Sequence, residues 1–562
     1  MNHLEKIENI RDHSWEETIS ESLPEGWEVV EIMFIPGRGG KDQVHILLGS
    51  SDERQHLWFV DSDGPREVSD LPKPEMISAV SDIILMTGEG GEMETRNGHR
   101  VVFQSFVKER PGNEPDFSVL REDGKLFFRL DSGKERHVLE YDPNPDPMNV
   151  AGYAISRLNS QGFSNVNRLL GIAYWDIEPY PVPWARLFGS KRNLESAFRP
   201  FMTDLDTFIG DLMEMEPESL RRKLFLLSRK RDLESISNCR RLGRTIGEMQ
   251  GSLFMEEPKR SIQRGGIGRK IADSLSVKTY SMEDVGSLLG TISSYITHTK
   301  KEMIRRYGVS PGGGRSSRRL KVVRKPSHGS DPMEVLARRF VERESHMRDM
   351  FSSLRNMAGS PAVDPLVDCR LEKMDFDGHD FILGRFDWAP PVVGEEIILP
   401  PLKDLAMVLN SLHKCRMLSV KKAMRKISSG RGIGGEGLET LFLDYNLSKG
   451  GYDVMRRDLL LPRMVGDRGS PMSSVVTLSI GSALWIELCR NGLIEGYNLG
   501  IESTGRDDLT DYPTGWDTSE GLNQIQALLA LAGIISSLRD DGARDRSAGL
   551  ESDLLTLLTT QA

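Results

Sequence analysis

The sequence predicts an α+β fold, and three observations carry that expectation. Short β-rich runs separated by Gly, Asp and Pro turns fill the first part of the chain, apolar residues recur at helical spacing beyond Phe201, and two short β-like runs interrupt the helical half. A chain of 562 residues holds about three or four cooperative units at roughly 100–200 residues each.

The runs Trp27–Ile32, Val44–Leu48 and His56–Val60 read as strands of a small sheet domain. Arg100–Phe106 follows. Phe117–Leu120 and Lys125–Leu130 flank Asp123-Gly124, a pair that tolerates the positive φ angles of a tight primed turn, so a hairpin is expected there. Val150, Tyr153, Ala154 and Leu158 share one face of a helix over 148–161. Further helices are expected over 204–215, 219–233, 237–254, 282–307, 332–357, 402–426, 475–491 and 521–538. The β-like runs are 366–374 and 381–386, joined by Asp375-Phe-Asp-Gly-His-Asp. The expected organisation is a cap over 1–106, a small lobe over 107–200, a helical lobe over 201–505, and a terminal helix and tail over 506–562.

Composition excludes several classes of function. Hydrophobic residues make up 38% and charged residues 28%, a globular balance, and the net charge of −10 is mild for so long a chain. It argues against a dedicated nucleic-acid or membrane-surface protein. Residues 300–325 are the exception, with ten basic residues against Glu302 alone. Aromatic stacking residues are nearly absent there, and Ser310-Pro-Gly-Gly-Gly favours a solvated insertion over 308–330 rather than a polyanion site. The four cysteines are far apart and form no C-x-x-C pair, which counts against a disulfide framework or thiolate zinc site and fits the cytoplasm. The best apolar run, Ile525–Leu538, falls short of the ~20 residues of a membrane span.

A β-rich lobe, then a helical lobe containing a β-hairpin, is the order of a kinase-like fold. The residues Asp142-Pro-Asn-Pro-Asp146, Leu242-Gly-Arg-Thr-Ile-Gly-Glu-Met-Gln250, Pro401-Leu-Lys-Asp-Leu-Ala-Met-Val-Leu-Asn410 and Trp485-Ile-Glu-Leu-Cys-Arg-Asn-Gly-Leu-Ile-Glu-Gly-Tyr497 add more. Their order resembles the maltokinase family, relatives of the aminoglycoside phosphotransferases and protein kinases, over most of residues 25–505. The resemblance implies a protein-kinase-like bilobal fold with an amino-terminal cap. It also implies ATP-dependent phosphorylation of the anomeric hydroxyl of maltose.

Such chemistry needs a cation on the phosphates, a carboxylate for the acceptor hydroxyl, and oxygen ligands for Mg²⁺. Alignment on the Asp123-Gly124 turn places either Arg129 or Lys125 as the phosphate cation. Where the family has a glutamate to orient it, this chain reads Met148-Asn149-Val150. The His-Gly-Asp motif falls on Leu366-Val367-Asp368, making Asp368 the catalytic candidate. Lys373 and Arg385 stand at the two metal-ligand positions, where a cation cannot ligate a hard metal ion but can neutralise phosphate. Asp387 enters the metal position if the register shifts by two residues; Asp375, Asp377 and Asp380 are other stand-ins.

The expected function is therefore a degenerate, pseudokinase-like relative of maltokinases that binds a sugar, a nucleotide, or an enzyme of trehalose or α-glucan metabolism. The alternative is an active ATP-dependent sugar kinase with unusual metal ligation. The G-x-G-x-x-G over Gly430–Gly435 follows a basic helical run and no strand, so it reads as a loop rather than a dinucleotide site.

Overall fold

The computed structural model describes most of residues 23–559; the longer stretches outside it are 62–76, 106–115, 143–150, 225–232, 255–274, 310–330, 385–397 and 450–469. The basic insertion, Arg385, Asp387 and most of the Asp142–Asp146 motif therefore lie outside the described residues. The chain forms two compact units, Met1–Leu194 with Arg264–Ile271, and Glu195–Gln263 with Ala272–Ala562.

The first unit is mainly sheet. Strands β1 (Trp27–Ile35), β2 (Gln43–Ser50) and β3 (Gln55–Asp61) form an antiparallel three-stranded sheet. Strands β4 (Gly91–Glu94), β5 (Arg100–Ser105), β6 (Asp116–Glu122), β7 (Lys125–Ser132), β8 (Glu135–Tyr141), β9 (Arg168–Asp176) and β10 (Val182–Ser190) form a seven-stranded sheet in the order β4-β5-β9-β10-β8-β7-β6. The expected hairpin is present, with Glu122 paired to Lys125 across a two-residue connection. Strand alternation turns Leu126, Phe128, Leu130, Leu139 and Tyr141 to one face. There they share one core with Met33 and Leu47 of the small sheet and with Ile77, Val80 and Ile84. The opposite face carries Arg129, Glu140 and Arg186, and α1 (Ala151–Ser160) packs on it. A Cβ on Gly152 would stand 2.7 Å from Ile172 Cδ1 and 3.9 Å from Arg186 Cδ.

The second unit is helical: α2 (Phe198–Glu214), α3 (Glu234–Leu253), α4 (Met282–Tyr307), α5 (Pro332–Glu342), α6 (Glu344–Ser352), α7 (Lys403–Arg431), α8 (Gly435–Lys449), α9 (Pro471–Thr504), α10 (Thr518–Arg539) and α11 (Ser547–Thr559). α4 occupies the expected span because its ends are encoded: Ser281 and Asp284 form a capping box, and Gly308 closes the helix at φ 63°. The single helix expected over 332–357 is instead broken at Arg343. That guanidinium reaches the Leu558 carbonyl at 2.6 Å and the Leu447 carbonyl at 2.8 Å, a tertiary demand that spacing does not record. α7 runs through Arg431 and α8 starts at Gly435, so the Gly430–Gly435 segment is confined to a helix–helix junction. α9 and α10 reach the length and apolarity of membrane spans, further than the Ile525–Leu538 run suggested. Of their most apolar windows, 89% and 72% is buried inside the protein, as for core helices.

α3 and α9 approach more closely than ordinary side chains permit. Glycines four apart face each other: Gly243, Gly247 and Gly251 on α3, and Gly492, Gly496 and Gly500 on α9. A Cβ on Gly243 would lie 2.1 Å from the Leu493 oxygen, and one on Gly496 would lie 1.9 Å from the Arg240 oxygen. The resemblance segments 242–250 and 485–497 thus form one backbone-to-backbone helix pair.

Candidate functional site

The best-defined polar site lies in the second unit, on the loop between residue 363 and strand β12 (Met374–Phe376). β12 pairs with β13 (Phe381–Leu383) and with β11 (Glu195–Ser196). At the hairpin tip Gly378 takes φ 95°, and Asp377 Oδ1 accepts the amides of His379 and Asp380 at 3.0 and 2.8 Å. The expected strand over 366–374 is only partly formed. Residues 366–370 make no ladder, Leu371–Lys373 closes a 3₁₀ turn, and pairing begins at Met374. A buried polar network, rather than a partner strand, holds this segment.

That network centres on Asp404 in the first turn of α7, where the helix N-terminus favours negative charge. Lys403 and Asp404 are fully buried and paired with each other. Gln250 of α3 donates from Nε2 to Asp404 Oδ2 at 2.5 Å and to the Pro401 carbonyl at 2.8 Å, while Tyr497 of α9 donates to Gln250 Oε1 at 2.8 Å. The buried Cys369 thiol lies near the Asp404 side chain. Burial, then the Asp404 charge, push that thiol well above its ordinary pKa. The close α3–α9 pair therefore sets Gln250 and Tyr497, these set Asp404, and Asp404 holds the residue next to Asp368. On the loop's other side Ser411 accepts the Leu371 amide at 3.1 Å and donates to Glu372 at 2.6 Å, and Lys414 bonds Glu372 at 2.7 Å. Burial raises the Glu372 carboxyl, but the Lys414 charge and these hydrogen bonds outweigh it and leave the group below its usual range.

Asp368 is buried at 5% exposure. Its Oδ1 accepts the Arg370 amide at 3.2 Å and Arg370 Nε at 2.8 Å; its Oδ2 accepts Nε at 3.2 Å and Nη2. Three N–H groups of Arg370 make these contacts, with Nε–H shared between the two oxygens, and they leave about one of the carboxylate's four lone-pair sites open. An acceptor hydroxyl would compete with Arg370 for this group.

Of the sequence-predicted site residues, Asp368 and Lys373 share this loop. Lys373 is half-buried at the end of the 3₁₀ turn, its amide donating to the Arg370 carbonyl at 2.9 Å. Arg129 is exposed on β7, and Lys125 begins the same strand. Both belong to the first unit. There, the sheet face under α1 holds a buried ion pair that the sequence reading missed: Arg186 Nη2 to Glu140 Oε1 at 2.7 Å. α1 has no acidic residue in its sequence, so the carboxylate near this face comes from a strand.

Magnesium needs oxygen ligands, and the described residues do not supply a fitting set. Among them no three His, Cys, Asp or Glu side chains gather as a metal-holding group. Asp368 is engaged by Arg370.

No protein-family model and no curated protein matches the chain. Among solved structures, a glucosamine kinase in complex with glucosamine, ADP and inorganic phosphate matches over 99% of this chain and 98% of its own, at 12% identity and TM-score 0.54. Two further crystal forms of glucosamine kinase match at TM-score 0.53 and 12% identity, one over 95% of this chain and 94% of that chain, the other over 94% and 91%. The resemblance read from sequence is thus supported as far as a sugar-kinase-like fold, of mixed helix and sheet, with the maltokinase family itself not matched.

Proposed function

We propose that this chain is a sugar- and nucleotide-binding protein on a sugar-kinase fold whose phosphoryl transfer is degenerate. The observation that carries the reading is the clamp of Arg370 on Asp368. In a phosphotransferase that carboxylate receives or orients the acceptor hydroxyl, a role worth roughly 10²–10⁴ in rate. A carboxylate held by both the guanidinium and the backbone amide of a residue two positions away has about one lone pair left for an acceptor hydroxyl in this conformation. The cationic Lys373, and Arg385 at the second ligand position of the resemblance, point the same way. They suit contact with phosphate oxygens without a metal.

The complex of the glucosamine kinase with an amino sugar and ADP supports a sugar and an adenine nucleotide as the ligand classes to test first. Maltose follows from the sequence resemblance, as does an enzyme of trehalose or α-glucan metabolism as partner. A thermal-shift titration with ATP and ADP, with magnesium and with chelator, tests the reading. A native-state ligand raises stability by RT ln(1 + [L]/Kd), about 2.7 kcal/mol at 100 Kd. Stabilisation by nucleotide that persists in chelator supports it; stabilisation that vanishes in chelator counts against it.

A further inference from the structure

Among the described residues the buried lysine and arginine side chains are Arg186, Lys403 and Arg416. Two of them have a carboxylate partner: Glu140 lies 2.7 Å from Arg186, and Asp404 pairs with Lys403. Arg416, on α7 and 4% exposed, is bonded only to neutral groups. Burial alone lowers its pKa to about 10, with no carboxylate near enough to oppose the shift, so it remains a cation at neutral pH. A buried charge without a counter-charge is costly, and proteins ordinarily pair such charges.

The surroundings of Arg416 are rich in donors. Its Nε donates to Ser482 Oγ of α9 at 2.9 Å and its Nη2 to Asn446 Oδ1 of α8 at 2.6 Å, while the Phe442 ring lies 5.7 Å from Cζ. Asn446 Nδ2 donates to the Phe442 carbonyl at 2.8 Å and to Ser479 Oγ at 3.0 Å, and Ser482 donates to the Ser479 carbonyl at 3.3 Å. Asn446, Ser479 and Ser482 are fully buried. The side-chain oxygens of all three already accept a hydrogen bond, yet Arg416 has used two of its N–H groups and keeps about three more. The neighbouring charges are positive as well. One turn earlier on α7, burial, then the Arg416 and Arg490 charges, lower His413 to about 3, so it is neutral and supplies no counter-charge. Arg490 of α9 donates from Nη2 to the Ser519 carbonyl and hydroxyl at 2.8 and 2.7 Å, and its Nε is buried with no hydrogen-bond partner.

We propose that the junction of α7, α8 and α9 binds a small inorganic anion of halide size, held by the remaining N–H groups of Arg416. A water molecule can accept from the same donors but brings no charge, whereas a monovalent anion supplies the acceptor and the counter-charge together. The near-complete burial of the guanidinium, closed in by Asn446, Ser482 and the Phe442 ring, suits a single-atom ion better than a phosphate ester. Bound there, the ion ties α8 and α9 to α7, the helix that also carries Asp404, Ser411 and Lys414 of the candidate site. The inference stands apart from any activity of the protein.

The test is the melting temperature of the full chain in rising chloride at fixed ionic strength, with gluconate making up the balance. In the native protein Tm should rise with chloride and level off, as for a ligand that binds the native state alone, and bromide should act in the same way. Phosphate at the same ionic strength should add little. Arg416→Met keeps a long apolar stem and removes the charge, so it should lose the saturable halide response whatever its own Tm, and it sets the baseline for nonspecific salt effects. If that variant does not fold, bromide-soaked crystals of the native protein decide the matter: anomalous density should stand against the Arg416 guanidinium. A native Tm that is the same in chloride and gluconate, a halide response kept in Arg416→Met, a response to phosphate without one to halide, or bromide density only elsewhere would each overturn the proposal.

Discussion

Replacing Gly496 by alanine tests how the candidate loop is supported. The new Cβ would stand 1.9 Å from the Arg240 oxygen and 2.9 Å from the Arg240 Cα, where ordinary contact begins at 3.4 Å. The shortfall at the oxygen is 3.4 − 1.9 = 1.5 Å. Both sides of the contact are helix backbone, so α3 and α9 must separate by on the order of that distance. Overpacking costs about 1–3 kcal/mol and occasionally more, and a backbone clash belongs at the upper end. At about 2 °C per kcal/mol, Tm should fall by about 6 °C. The separation also strains the 2.8 Å bond from Tyr497 to Gln250, on which Asp404 and then Cys369 depend. Exchange at the Cys369–Lys373 amides should therefore accelerate in step with the loss of stability. Differential scanning fluorimetry and hydrogen exchange read the two effects. Gly290→Ala on α4 is the control, because its Cβ meets nothing within 4 Å; it should be neutral or stabilise by up to about 1 kcal/mol. A Gly496→Ala protein melting within a degree of the native one would refute the close-packed pair as the loop's support.

Other consequences can be measured in the same way. Arg370→Ala removes the clamp on Asp368 at a cost of about 1–2 kcal/mol, moderated because the guanidinium is 45% exposed; urea unfolding midpoints should show a modest loss, and no loss would mean the clamp is not populated. Asp404→Asn, which leaves buried Lys403 without its carboxylate, should cost about 3–5 kcal/mol by the same measurement, and a cost under 1 kcal/mol would contradict its central place. His45 is fully buried, bonded through Nδ1 to the Tyr141 hydroxyl at 2.9 Å, and burial lowers it to about 3. The unfolded chain takes up that proton near 6.5, so the first unit should lose stability as pH falls from 6.5 toward 3, by up to about 1.4 kcal/mol per unit, and His45→Gln should remove that slope.

The sheet was legible because its cues are local: alternation in Lys125–Leu130, and Asp-Gly at a tight turn. The span of α4 was legible for the same reason, since its caps lie within the segment. The loop at 366–373 looked like a strand because it is apolar, yet the groups that hold it, Gln250, Tyr497, Asp404 and Ser411, come from distant helices. One signal was available and unread. Glycines at steps of four in 243–251 and 492–500 mark two helices that meet backbone to backbone. Asp368 stood out in the sequence as a candidate carboxylate, while its contact with Arg370 did not, because spacing alone does not tell whether a nearby arginine turns inward or to solvent.

The most direct test of the central claim is a phosphoryl-transfer assay with labelled ATP and magnesium, offering glucosamine and maltose in turn to the native protein, Asp368→Asn and Arg370→Ala. The reading predicts nucleotide binding without sugar-dependent turnover in the native protein, no further loss in Asp368→Asn, and at most a weak gain when Arg370 is removed. Robust phosphorylation of either sugar by the native protein, lost by roughly 10²–10⁴ in Asp368→Asn, would show that Asp368 escapes its arginine during catalysis and would contradict the account.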